Sequence, residues 1–349
     1  MAEIIDSKKF GKIVIEWEGI KKVQKWIEEL RPFKIGIITN DNVAKFWLDK
    51  LLESLNGDVS TFIVGDGEKF KKLDTVVDIW RKMVKEEFTR KSLIVGLGGG
   101  VITDISGFIA STYMRGTLLM LIPTSLMAQV DAAIGGKTGI NFFGKNIIGT
   151  FYPPNLTLID PMTLYTLPRE EFINGLAEVV KYGIIRDEEF FNFLENNSKK
   201  LISQNKEIIK EIVRRSVKIK SQIVEEDLYE TNLRRILNFG HTLGHGIESV
   251  SNYRIKHGFA VSSGMVVNCI IAEELLDFKE SERVINLLES LNLPTYHDLD
   301  PKDILKAMKI DKKAWYGKLV FILPTKIGEV VVKEVPEEVV LNALKRVAK

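Results

Sequence analysis

Short β-branched apolar runs alternate with longer amphipathic segments through the first half of the chain. Residues 34–39, 61–64, 92–96, 118–122 and 156–159 read as buried strands, whereas 43–55 and 73–87 show the apolar spacing of helices. This alternation predicts a parallel sheet wrapped by helices, with ligands beyond the carboxyl ends of its strands. The stretch Phe151-Tyr-Pro-Pro-Asn155 is a break, and after Asp160-Pro161 the pattern turns helical, over 169–185, 208–226 and 260–276. Asp300 and Pro301 supply an N-cap and an N1 proline to a further helix, and 319–323 is strand-like.

Composition narrows the function classes. At 349 residues the chain exceeds the size at which one core stops growing, so two domains are expected, 1–160 and 161–349. Lysine plus arginine (49) nearly balances aspartate plus glutamate (47), which argues against a nucleic-acid surface, so an anionic ligand must meet a local cluster. The single cysteine, Cys269, excludes an internal disulfide and suits a reducing cytoplasm. The N-terminus lacks a signal-peptide pattern, and no apolar run is read as reaching the ~18 residues of a membrane span, so a cytoplasmic protein without membrane partners is expected.

The strand at 92–96 runs into Gly96-Leu-Gly98-Gly99-Gly100-Val-Ile-Thr-Asp104. A glycine turn between strand and helix lets backbone N–H groups approach phosphate at a helix N-terminus, although Val101 breaks the usual G-x-G-x-x-G spacing. A second turn, Gly65-Asp-Gly-Glu-Lys-Phe-Lys71, offers carboxylates for ribose hydroxyls or is simply a solvated loop. Arg115, Lys137, Lys145 and Asn146 are donors interleaved with glycines, suited to anions. Glu178 and Lys181 stand three apart on an apolar helix, either as a surface ion pair or as a buried functional carboxylate and its lysine.

Three of the four histidines fall within seventeen residues, in Asn238-Phe-Gly-His241-Thr-Leu-Gly-His245-Gly-Ile-Glu248 and at His257. His241 and His245 are four apart, on one face of a helix, without the internal glutamate of the H-E-x-x-H motif. Gly240, Gly244, Gly246 and Gly258 indicate a close approach to this backbone. Two histidines and a carboxylate make an economical open metal site, and spacing nominates His241, His245 and His257 as readily as Glu178, His241 and His257. The expected architecture is an α/β N-terminal nucleotide-binding domain with a parallel sheet, followed by a mostly α-helical C-terminal metal-binding domain. A metal and a nucleotide together suit oxidation of an alcohol.

These motifs, with Pro123-Thr-Ser125, Asp131 to Lys137, Gly144-Lys-Asn146, Gly175 to Gly183, Leu233 to His245 and His257-Gly258, resemble the 3-dehydroquinate synthase family of sugar phosphate cyclases, over about Asn40 to Gly328. The resemblance implies a homodimer with NAD and one zinc or cobalt ion per subunit, the metal held by Glu178, His241 and His257. It implies NAD on Asn42, on Asp66, Gly67, Glu68, Lys69, Phe70 and Lys71, and on Gly99, Gly100, Val101, Ile102, Thr103 and Asp104. Thr124, Ser125, Lys137, Lys145, Thr163, Leu164, Tyr165 and Thr166 complete that set. The implied substrate is a phosphorylated keto-sugar acid, 3-deoxy-D-arabino-heptulosonate 7-phosphate, held by Lys137, Asn146, Arg234, Asn238 and Lys312 or Lys313, with Arg115 reaching the neighbouring subunit's site. Asp131, Lys181, Lys220 and His245 are the implied catalytic groups. The implied chemistry is NAD-dependent oxidation at the C4 hydroxyl, β-elimination of phosphate, reduction and aldol closure to 3-dehydroquinate. Two departures stand out: the segment between Lys137 and Lys145 is one residue shorter than the family pattern, and Asn40 replaces a more usual acidic residue.

A cyclase acting on glucose 6-phosphate, like 2-deoxy-scyllo-inosose synthase, shares the metal and NAD motifs, and Lys220 and Arg234 favour the dehydroquinate reading over it. A metal-dependent polyol dehydrogenase would not need so many lysines and arginines and would release NADH. A binding protein without turnover is opposed by the intact Glu178, Lys181, His241 and His257.

Overall fold

A computed structural model of the chain describes residues 2–311 and 319–349. They divide into two compact units, Met1–Pro168 with Lys220–Tyr229, and Arg169–Ile219 with Glu230–Lys349.

The first unit holds β1 (Glu3–Ser7), β2 (Gly11–Ile15), α1 (Val23–Leu30), β3 (Ile35–Asn40), α2 (Asp41–Leu52) and β4 (Val59–Val64). There follow α3 (Leu73–Lys85), β5 (Leu93–Gly98), α4 (Gly100–Thr112), β6 (Leu118–Pro123), the hairpin β7 (Lys137–Ile140) and β8 (Ile148–Phe151), and β9 (Leu156–Ile159). Seven strands form one sheet in the order β1-β2-β9-β6-β5-β3-β4, parallel except for the β1–β2 pair. Successive residues of its central strands point to opposite faces. Ile37, Val95 and Leu97 pack on Trp26, Trp47 and Leu51 of α1 and α2, while Ile38, Ile94 and Leu119 pack on Ile79, Ile105 and Ile109 of α3 and α4. Helices on both faces explain why β3 and β5 are buried along their whole length and read as continuous apolar runs.

The strand order sets the ligand crevice. The chain leaves β3 for β4 on one side and β5 for β6 on the other, so the carboxyl ends of β3 and β5, at Asn40 and Gly98, flank the switch point where α/β sheets bind ligands. The helix after β3 starts at Asp41, earlier than its apolar pattern indicates, because the Asn40 side chain accepts from the Val43 N–H at 2.9 Å.

The second unit is helical: α5 (Arg169–Arg186), α6 (Glu188–Ile202), α7 (Lys206–Glu226, its last part belonging to the first unit), α8 (His241–Val250), α9 (His257–Leu276), α10 (Ser281–Ser290), α11 (Pro301–Asp311) and α12 (Glu337–Val347). Asp300 caps α11 through the Lys302 N–H at 2.8 Å. The strand-like stretch at 319–323 lengthens into β10 (Val320–Lys326), which pairs antiparallel with β11 (Glu329–Glu334). One expectation needs correcting: α9 has 20 residues and a mean hydropathy of 1.5, enough by length and composition for a membrane span. It is apolar because it packs against α5, α8, α10, α12 and β10, and 72% of its apolar window is buried within the fold. Cys269 lies buried in it, and burial pushes its thiol pKa up, away from reactivity.

On α7, Glu211 accepts from Arg214 and Arg215, each at 2.7 Å, and these bonds, Arg214 first, lower its carboxyl pKa to about 2. A folded pKa below the unfolded one contributes stability above the ordinary carboxylate range that is lost as pH falls towards 2. Glu211→Gln therefore lowers the thermal midpoint at neutral pH, and the difference from the parent closes between about pH 4.5 and 2 when midpoints are measured against pH.

Candidate active site

In the second unit α5 carries Glu178, only 1% exposed, in a helix that is apolar around it. The oxygen Oε1 of Glu178 lies 3.4 Å from His241 Nε2 and 3.7 Å from His257 Nε2. These three residues form a group whose ligand atoms all lie within 4.8 Å of one another. His241 opens α8 and His257 opens α9. Two glycines bring those helices in. A Cβ on Gly258 would sit 1.9 Å from the Asn174 carbonyl of α5, and one on Gly244 would press on Val261 of α9. The Gly258 N–H is also tied to Asn174 Oδ1 at 2.8 Å, seating the start of α9 on α5. The close approach foreshadowed by the glycines is thus helix packing.

Both imidazoles are oriented from behind. His241 Nδ1 meets the Phe239 carbonyl at 3.0 Å and His257 Nδ1 meets Glu248 Oε2 at 2.9 Å. Both partners are acceptors, so each Nδ1 carries the proton and each Nε2 lone pair points towards Glu178. One carboxylate and two imidazoles make a donor set that fits a divalent ion and leaves a position open. A second group, His245, Glu248 and His257, also lies within ligand distance. It is the poorer choice, because Glu248 already engages the His257 Nδ1–H. The i, i+4 pair is thus split: the His241 and His245 rings stand 5.7 Å apart, and His245 is exposed. Lys181 ion-pairs with Glu178 Oε2, and both are 1% exposed, so the pair is buried rather than a surface bridge. Arg234 is likewise buried, and Asn238 donates to Glu230 at 2.7 Å. Lys312 and Lys313 lie outside the described residues.

In the first unit the glycine turn follows β5. Gly99 is the N-cap of α4, and the first turn of that helix has no side-chain cap and no acidic residue, so its N–H groups can receive an anion. Ile102 and Thr103 are buried in α4 and offer backbone rather than side chain, whereas Gly100, Val101 and Asp104 are partly exposed. At the Gly65 turn the Asp66 carboxylate is bracketed by Asn40 Nδ2 at 2.6 Å and Asn42 Nδ2 at 2.9 Å. An acidic residue at position 40 could not donate in this way. Lys71 is buried, and its Nζ donates to Asp104 Oδ2 and Asn146 Oδ1, each at 2.5 Å. Burial raises the Asp104 carboxyl pKa against the opposing pull of Lys71. Glu68, Lys69 and Phe70 form a single 3-10 turn, with the Phe70 ring lying where a Cβ on Gly65 would be.

Asp131 sits in a π-helical turn, Ala128–Ala132, after β6. Gln129 anchors that turn, its Nε2 meeting Pro123 O at 3.1 Å, Asp160 O at 3.0 Å and Thr163 Oγ1 at 2.8 Å. Lys220, buried on the part of α7 that belongs to this unit, donates to Asp131 Oδ1 at 2.7 Å. Lys137, Lys145 and Arg115 are exposed, and Ser125 accepts from the Ala128 N–H at 3.3 Å. Thr124, Thr163 and Leu164 are buried, Thr166 accepts from Trp47 Nε1 at 2.7 Å, and Tyr165 is exposed. The sequence alone gives no role to Glu248 or Gln129, although a carboxylate inside the histidine stretch is a signal for the first; Asn40, marked there only as a departure from the family pattern, proves to be a donor to Asp66.

Residues 61–174 match the family 3-dehydroquinate synthase N-terminal, and residues 175–314 match 3-dehydroquinate synthase C-terminal. A 3-dehydroquinate synthase of Pyrococcus abyssi is 55% identical over 318 residues, 91% of this chain and 94% of that one. The structure of 2-epi-5-epi-valiolone synthase from Streptomyces hygroscopicus subsp. jinggangensis, with NAD+ and Zn2+ bound, matches with a TM-score of 0.89 at 30% identity, covering 99% of this chain and 98% of that one. A 2-deoxy-scyllo-inosose synthase complexed with carbaglucose-6-phosphate, NAD+ and Co2+ shares the fold, with a TM-score of 0.90 at 22% identity over 99% of this chain and all of that one. With both of its parts matched in order and a relative this similar along nearly its whole length, the chain belongs to the 3-dehydroquinate synthase family of enzymes.

Proposed function

We propose that this chain is a 3-dehydroquinate synthase, converting 3-deoxy-D-arabino-heptulosonate 7-phosphate to 3-dehydroquinate and phosphate in the shikimate pathway. The observation that carries the reading is the Glu178, His241 and His257 group, with Nδ1 of each imidazole engaged by an oxygen and Nε2 facing Glu178. When bound, zinc or cobalt on these residues acidifies a substrate hydroxyl, and NAD takes up and later returns the hydride of that carbon. The phosphate is on C7, so its β-elimination removes the C6 proton and needs the ketone at C5; the oxidised hydroxyl is therefore that of C5 rather than C4.

The remaining work falls to side chains. Lys181 sets its charge against the Glu178 carboxylate and presents its Nζ to the substrate hydroxyls. Asp131, its oxygen fixed by Lys220, orients those hydroxyls, Lys220 and Arg234 serve the carboxylate, and Lys137 and Asn238 bind the substrate. Asn146 and His245 serve the phosphate side, with His245 giving or taking a proton there. In this reading NAD lies on the Gly65 and Gly98 turns, Asp66 on a ribose diol and the first turn of α4 on the pyrophosphate. A homodimer to which Arg115 contributes across subunits, and a cytoplasmic setting, belong to the same reading.

Purified protein given heptulosonate 7-phosphate, catalytic NAD and zinc or cobalt is expected to release stoichiometric phosphate with no accumulating NADH. Chelator, or His257→Ala, should abolish that release. Accumulating NADH without phosphate would instead assign the chain to the dehydrogenases. Glu248→Ala removes the acceptor behind His257 and should weaken zinc affinity about 10- to 100-fold in a competition titration, with the fold unchanged by circular dichroism.

A further inference from the structure

Asn141, at the end of β7, stands between the Gly65 turn and the loop that carries Asn146. Its Nδ2 donates to Glu68 Oε1 at 2.8 Å, and its Oδ1 accepts from the Asn146 N–H at 2.9 Å. Its own N–H donates to the Lys71 carbonyl at 2.8 Å, pairing residue 141 with the strand-like Lys72. Asn146 closes the ring, because its Oδ1 accepts from Lys71 Nζ. The ring holds an unfavourable backbone: Asn146 has φ of +57° and Phe143, in the same loop, has φ of +54°. Left-handed residues of this kind persist only where their surroundings fix them. Here the Asn141 amide supplies the bond to the left-handed residue's N–H.

We propose that Asn141 is a positioning residue that sets Asn146 by reference to the cofactor turn, so that NAD and the phosphorylated substrate strengthen each other's binding through it. This rests on the functional reading above, in which Glu68 and Lys71 meet NAD and Asn146 meets substrate. A ligand that orders the turn thereby orders Asn146, and the reciprocal effect follows by linkage. Asn141 touches neither reacting atom.

The polarity of the bonds gives a specific test. Asn141→Asp keeps the oxygen that accepts from Asn146 but sets a carboxylate against Glu68. Glu68→Gln supplies an amide that can donate to that Asp. Substrate KM at saturating NAD and NAD+ affinity by calorimetry are measured for the parent, N141D, E68Q and the double variant. N141D is expected to raise substrate KM about three- to tenfold, the size of one net hydrogen bond, with kcat within about twofold. In the E68Q background the same substitution is expected to change KM by less than about twofold, because the bond re-forms with reversed polarity. Equal KM for the parent and N141D, with NAD+ still bound, overturns the role of Asn141 and leaves the functional reading standing. An equal loss in both backgrounds also overturns it, since the loss then does not pass through Glu68. A parent protein that binds no NAD+ overturns both readings together.

Discussion

A carboxylate removed from water at Glu178 is the constraint on which the second unit depends. Burying an ionised group is costly unless opposite charge and hydrogen-bond donors surround it. The next turn of α5 brings Lys181 to one oxygen, and the first residues of α8 and α9 aim imidazole nitrogens at the other. That arrangement requires three helices to meet closely, which the missing Cβ atoms of Gly244 and Gly258 allow. It also explains why α9 is apolar on every side: a helix that delivers a ligand to a buried carboxylate must itself run through the core.

The sheet was legible because its central strands are covered on both faces, so that burial leaves an unbroken apolar signature in β3 and β5. The same logic hid β1, an edge strand with only alternate residues partly buried, and β7 with β8, a glycine-containing hairpin outside the main sheet. Apolar spacing marked α2, α3, α5, α7 and α9 but left α1, α6, α10 and α12 unmarked, and the start of α2 is set by the Asn40 side chain rather than by spacing. In the candidate site, local spacing drew attention to His241 and His245, since i and i+4 share a face. The fold joins His241 instead to residues distant in the chain, Glu178 and His257. Periodicity carries no information about such tertiary meetings, which is why the residues alone left two ligand sets open and only the family resemblance chose between them.

The first unit treats its carboxylates in the same spirit, though with amides and lysines instead of imidazoles. Asp66 is held by two asparagine amides, Asp104 by Lys71 and Asp131 by Lys220. Each is fixed in direction by partners within the chain itself, which reduces the ordering a ligand must impose. Asp104 shows the opposing forces plainly, since burial raises its carboxyl pKa while Lys71 pulls it down.

Backbone irregularity gathers beside these groups for a physical reason. Asp131 is carried by a π-helical turn, which widens the helix and redirects one side chain, and the Gln129 amide ties that turn to β6 and to the loop after β9. Asn146 and Arg115 both occupy the left-handed region. Regular helix or strand would have cost less at each of these positions, but it could not aim these side chains as they are aimed. The apolar layers of the sheet and its helices supply the stability against which such local costs are set. The unusual conformations therefore belong with the polar rings that hold them, and a substitution in one of those rings acts first on the direction of a functional side chain and only second on the stability of the fold.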